Sequence, residues 1–297
     1  MLSVLFINPN LATAASGGRI GGGNFQAPKM QRNLNYGGSG GNNFREYGSG
    51  YRGGGIGFPF LLPIFGFGGG GVFGFLILMS IIGVIVNSFR NSSTFTSSSS
   101  ETITTQSANS TKVSLIQFQI GLLASAKEIQ EKLRELASDS ITSTSSGLQK
   151  VLQDTTLSLL RKPELWVYAN IETGSVPFAS AESTFNRISI TERSKLKAEL
   201  TSNYSGQISV SKKTDSTPGA ADLTNEYIAI TILVATKKDL RLNNSIDNEF
   251  IAEDLRSLGS ISSNDLMALE IIWQPEGEGE TLREEELITQ YPNLKHL

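Results

Sequence analysis

"EYIAITILVAT", residues 226–236, is the stretch that decides the fold. Beyond the leading Glu226 it carries no charge, and Ile228, Ile230, Thr231, Ile232, Val234 and Thr236 are β-branched. It is nearly continuously apolar, unlike a half-exposed strand, which alternates. The reading is a central strand covered on both faces. On its C-terminal side, "NEFIAEDLRSLGS" predicts a short helix with Gly259 near its C-cap, and "DLMALEIIWQP" predicts a strand stopped by Pro275. "TLREEELITQYP" predicts a last short helix. On its N-terminal side, "LWVYANIE" (165–172) predicts a strand. Residues 180–206 predict one long helix, with Phe185, Ile188, Leu196 and Leu200 turned inward and Gly206 ending it.

Further upstream, Leu115, Leu122, Ala126, Ile129, Leu133 and Leu136 follow helical steps with one seven-residue gap. That spacing predicts an amphipathic helix over about 112–137. Leu148, Leu152, Thr155 and Leu159 form a second stripe, stopped by Arg161-Lys162-Pro163. The two helices are expected to pair as a hairpin. The fold class is then an α+β or α/β domain over 112–297: a helical hairpin followed by β-α-β-α-β-α, large enough for its own core.

The N-terminal part has a different composition. Twenty of the 30 glycines lie in residues 17–71, in runs such as Gly21-Gly22-Gly23 and Gly68 to Gly71. Too few apolar side chains stand there to offset the entropy of ordering, so residues 16–57 are expected to be a disordered arm. The arm region is basic: Arg19, Lys29, Arg32, Arg45 and Arg52 stand against Glu46, whereas the chain beyond residue 100 is acidic. Its aromatics, Tyr36, Phe44, Tyr47 and Tyr51, are isolated and its arginines sparse, so contact with anionic lipid headgroups fits better than nucleic-acid binding. Residues 1–15 end near Ala12-Thr13-Ala14, a pattern like a signal-peptidase site, after a short apolar run broken by Asn8-Pro9-Asn10.

"FPFLLPIFGF" (58–67), within an apolar segment 58–71, contains Pro59 and Pro63 and reads as interfacial or re-entrant. "VFGFLILMSIIGVIVNSF" (72–89) has no charge until Arg90. It reads as a transmembrane helix anchored by Val72, Phe73, Leu76, Ile77, Leu78, Ile81, Ile82, Val84, Ile85 and Val86. A core helix is the competing reading, but neither neighbouring segment offers anything to cover it. A polar Ser/Thr linker, 90–111, separates it from the domain. A single pass with a basic arm on the cytoplasmic or stromal side puts the folded domain across the membrane; a cleaved signal reverses this.

Chemical motifs are sparse. With no Cys, thiolate catalysis and Cys-ligated metals are excluded, and the one His is His296, next to the last residue. Gly69-x-Gly71-x-x-Gly74 spells a dinucleotide fingerprint but opens the apolar run, where no strand-turn-helix unit exists, so no cofactor is expected. Glu276, Glu278 and Glu280 cluster carboxylates without the spacing of a calcium loop, so no metal is expected. Trp166, Tyr168 and Trp273 read as packing anchors, and no catalytic residue is marked.

Several long strings carry a resemblance: "SGGRIGGGNF", "GFPFLLPIFGFGGGG", "RKPELWVYAN", "AESTFNRISITERSK", "EYIAITILVAT" and "LGSISSNDLMALEIIWQPEGEGETL". They resemble a glycine-rich membrane protein family of cyanobacteria and plastids that is classed as a domain of unknown function. The resemblance implies a thylakoid or plasma membrane of a cyanobacterium, or a plastid membrane. By analogy with plant members, it implies a part in adjusting photosynthesis to changing light. Lipid and membrane-protein partners follow from the anchor, and the resemblance carries over no catalytic residue. The resulting expectation is a single-pass, non-enzymatic regulatory or interaction protein, with a membrane-associated enzyme of unrecognised site as the alternative.

Overall fold

The eleven residues of "EYIAITILVAT" form a strand in which every position is buried. It is the sixth of nine in one mixed sheet. The computed structural model describes residues 15–25, 112–211, 226–243, 247–277, 280 and 282–297. The anchor residues 72–89, the segment 58–71, the linker 90–111 and the arm beyond residue 25 lie outside them. Among the described residues no helix is long and apolar enough to cross a membrane.

In chain order the elements are β1 (Gly17–Gly23), β2 (Lys112–Leu123), α1 (Lys127–Asp139), α2 (Ser145–Leu160), a 3-10 turn (Pro163–Leu165), β3 (Trp166–Pro177), α3 (Phe178–Arg193), β4 (Glu199–Tyr204), β5 (Gln207–Val210), β6 (Glu226–Thr236), α4 (Asn248–Gly259), β7 (Leu266–Gln274), β8 (Leu282–Arg283), α5 (Glu284–Gln290) and β9 (Lys295–His296). The sheet order is β5-β4-β1-β7-β6-β2-β3-β9, with β8 on β6. Among the described residues only β1 and β4 run parallel; the remaining ladders are antiparallel.

Alternation assigns the two faces. Ile116, Phe118, Ile120 and Leu122 of β2, with Ile228, Ile230, Ile232 and Val234 of β6 and Leu269, Ile271 and Trp273 of β7, meet the apolar stripes of α1, α2 and α4. The opposite residues, Val113 and Leu115 of β2, with Leu233 and Ala235 of β6, meet Ala181, Phe185 and Ile188 of α3. Tyr168, Tyr227 and Ala229 meet Leu287 of α5. Helices on both faces explain why β6 reads as an unbroken apolar run.

Three expectations are corrected. Residues 112–123 are a strand, not the first half of a helix, and the helix begins only at Lys127. A seven-residue step from Leu115 to Leu122 hid the alternation, because both faces of β2 are buried. The helical pair is therefore α1 and α2, without residues 112–126. The predicted long helix over 180–206 stops at Arg193, and Glu199–Tyr204 turns into β4. Gly206, at φ 82°, makes the β4–β5 turn and does not cap a helix.

The third correction matters most. Residues 17–23 are not part of a disordered arm but a strand between β4 and β7. Glycine is required there by close approach. A Cβ on Gly18 would lie 2.0 Å from Cζ2 of the Trp273 indole, and one on Gly21 would lie 2.4 Å from the Leu269 carbonyl oxygen. Ile20, fully buried, is the strand's contribution to the core. The sheet's hydrogen bonds offset an ordering entropy that composition alone made prohibitive.

Candidate functional site

On the α3 and α5 face the sheet carries a polar strip. β2 places Gln117 and Gln119 there, and the paired β3 places Glu172 opposite Gln117 and Asn170 opposite Gln119. The end of α3 brings Glu192 and Lys195, and the end of α5 brings Gln290, Tyr291 and Asn293. Between them lies a cleft of about 260 Å³. Ile188 and Pro292 give it apolar patches.

Glu192 organises the floor. Its carboxylate is buried and accepts from Gln117 Nε2 at 2.8 Å, Gln119 Nε2 at 3.0 Å, Thr231 Oγ1 at 3.1 Å and Lys195 Nζ at 2.7 Å. Four donors from β2, β6 and the end of α3 hold one anion, which locks its geometry. Lys195 Nζ also lies 4.1 Å from the centre of the Tyr291 ring. Gln274 Nε2 donates to the Tyr291 hydroxyl at 2.7 Å. Burial, then the nearby Glu192 charge, pushes the Tyr291 phenol up, so it stays neutral.

Glu172 sits at the cleft wall. Its Oε1 accepts from Asn170 at 3.2 Å and from Asn293 at 2.9 Å. Burial raises its carboxyl above the ordinary carboxylate value, with Glu192 adding to this; the two amides and Lys195 pull the other way. The cleft thus contains a fixed ion pair and one carboxyl whose proton is held more tightly than in water. That arrangement can bind a small polar solute and hold or release a proton. A second charged group lies on the same face. Arg19 of β1 stands 3.4 Å from the fully buried Glu270 and 3.7 Å from Glu199, with its guanidinium 4.3 Å from the centre of the Tyr204 ring.

Trp166, Tyr168 and Trp273 are buried packing anchors, as expected. The Trp273 indole donates to Glu276 Oε2 at 2.7 Å. Glu276 and Glu280 accept from different donors. Arg134 Nε reaches both oxygens of Glu276 at 3.0 Å, and Thr201 donates to it at 2.8 Å. Glu280 accepts from the backbone N–H of Ser16 at 2.9 Å and from its hydroxyl. Among the described residues no group of three acidic or imidazole side chains is placed to hold a metal. His296 is exposed on the edge strand β9, stacked edge-on against Tyr168. Sequence reasoning missed Gln117, Gln119, Glu172, Glu192 and Lys195. The one available signal was Gln117-x-Gln119 alternating with Ile116, Phe118 and Ile120, visible only once the segment is read as a strand.

The mixed sheet with helices on both faces, and a polar cleft under α3 and α5, makes this a mixed α/β domain. Residues 112–297 match the family described as "Protein of unknown function (DUF1517)", and the chain belongs to that family. It is 41% identical to Protein FLAP1 homolog A of Synechocystis sp. (strain ATCC 27184 / PCC 6803 / Kazusa), over 94% of this chain and 85% of that protein. It is 35% identical to FLUCTUATING-LIGHT-ACCLIMATION protein 1, chloroplastic, of Arabidopsis thaliana, over 99% of this chain and 76% of that protein. No solved structure matches the chain significantly.

Proposed function

We propose that the protein is a membrane-anchored, non-enzymatic regulatory or interaction protein of a photosynthetic membrane, which adjusts photosynthesis to changing light. The observation that carries this reading is the near full-length similarity to two proteins named for light acclimation. The anchor is the apolar run 72–89 with 58–67 before it. Anchoring concentrates the folded domain at membrane partners, so weak contacts suffice. The partners are the bilayer and membrane proteins, not nucleic acid.

The test is a photosynthetic host lacking the gene, followed by chlorophyll fluorescence and growth. A defect confined to alternating light is expected; no defect, or an equal one in steady light, overturns the reading. A membrane-associated enzyme is the second reading. It is favoured by Glu172, whose carboxyl is raised beside the Glu192–Lys195 pair in an open cleft. A host carrying Glu172→Gln at normal protein level distinguishes them. Full acclimation supports the non-enzymatic role, and loss equal to the deletion supports the enzyme.

A further inference from the structure

The apolar run 58–89 lies between two segments that belong to one sheet. β1 precedes it and β2 follows it. β1 is an interior strand, paired to β4 on one side and β7 on the other. It is fastened at both ends. Glu276 N–H donates to the Ser16 carbonyl, Lys197 N–H to the Ala15 carbonyl, and Asn24 N–H to the Met267 carbonyl. Phe25 then packs on Phe185 of α3, with ring centres 5.9 Å apart. A strand so placed shares its side of any membrane with the rest of the domain.

The register adds a second point. Gly23 stands opposite Ala268, Ala268 opposite Ala235, and Ala235 opposite Leu115. The end of β1 and the beginning of β2 therefore leave the sheet at the same end. Three strand spacings separate them, about 14 Å. Lys112, Lys237 and Lys238 are exposed at this end, against Asp239 and Asp265.

A single transmembrane pass requires the chain before residue 72 and the chain after residue 89 to lie on opposite sides of the bilayer. With β1 and β2 in one sheet, that is geometrically excluded unless a second crossing brings the chain back. We infer that the protein carries both flanks of its apolar run 58–89 and its folded domain on one side of the membrane, the chain returning to the side it left. The inference rests on the bilayer reading of this run proposed above, and it replaces the single pass and the split between basic arm and folded domain.

The absence of cysteine makes the test clean. Three variants of the full chain, Ser39→Cys, Ser98→Cys and Ser146→Cys, report on the segment before the run, the segment after it and the exposed start of α2. Each is placed in sealed membrane vesicles and treated with a membrane-impermeant maleimide before and after permeabilisation. All three should label with the same sidedness. Labelling of Ser39→Cys and Ser98→Cys from opposite sides overturns the inference while leaving the membrane reading intact. Recovery of the full chain in the detergent-free soluble fraction overturns both.

Discussion

Glu192 and Glu172 share a cleft but hold opposite relations to charge. Glu192 is an anion satisfied by four donors. Removing it leaves Lys195, Gln117, Gln119 and Thr231 facing a vacated acceptor. Glu192→Ala is expected to lose about 3 kcal/mol, since breaking one side of a buried pair strands the other; denaturant unfolding measures it. Glu172 works through its proton. Burial holds its carboxyl above the ordinary value of 4.5, so the folded chain binds that proton more tightly than the unfolded chain. The associated stability is complete below pH 4.5 and is lost as pH rises through the raised value. Gln at this position keeps an oxygen for Asn170 and Asn293 and carries no charge. Glu172→Gln should therefore melt above the parent at neutral pH, with the gap closing as pH falls toward 4.5. A melting series across that range checks the sign, and a gap that widens on acidification refutes it.

At the scale of elements, β1 shows what composition hides. A strand of five glycines among seven residues has almost no propensity to order. Its place is set by what the neighbours leave free, chiefly the Trp273 indole lying against Gly18. Gly18→Ala is expected to cost about 3 kcal/mol, at the upper end for overpacking, because both the strand and the indole are enclosed. In a Trp273→Phe background the smaller ring should relieve part of this. A double-mutant cycle with no coupling refutes the contact. The strands β6 and β7 and helices α2, α4 and α5 were legible because each has one unambiguous period or a clear stop, such as Pro275 after β7 or Gly259 at the end of α4. β2 was not, since Leu115 and Leu122 stand two helical turns apart but on opposite faces of the strand, and both faces are buried. The cleft vanished with it, because Gln117 and Gln119 share a face only in a strand. β1 and β4 depend on contacts distant in sequence, to which local pattern is blind.

At the scale of the molecule, the described residues form a domain whose chain leaves and re-enters at one end of its sheet. Arg19, counted among the cations of a solvated arm, is instead an internal charge facing Glu270 and Glu199. The family match at 112–297 omits this strand. A fragment limited to those residues would leave β4 and β7 without the partner between them and a void where Ile20 sits. It should aggregate or unfold without cooperativity. Joining Ala15–Phe25 to Lys112–Leu297 through ten Gly/Ser residues should restore the fold. Such a linker has a mean reach of roughly 17 Å, enough for a gap of about 14 Å. With the apolar run 58–89 gone, this shortened chain should stay in solution without detergent and unfold in one cooperative transition. Equal behaviour of the two fragments, with or without residues 15–25, would show that β1 is dispensable and would remove the geometric basis for a same-side return through the membrane.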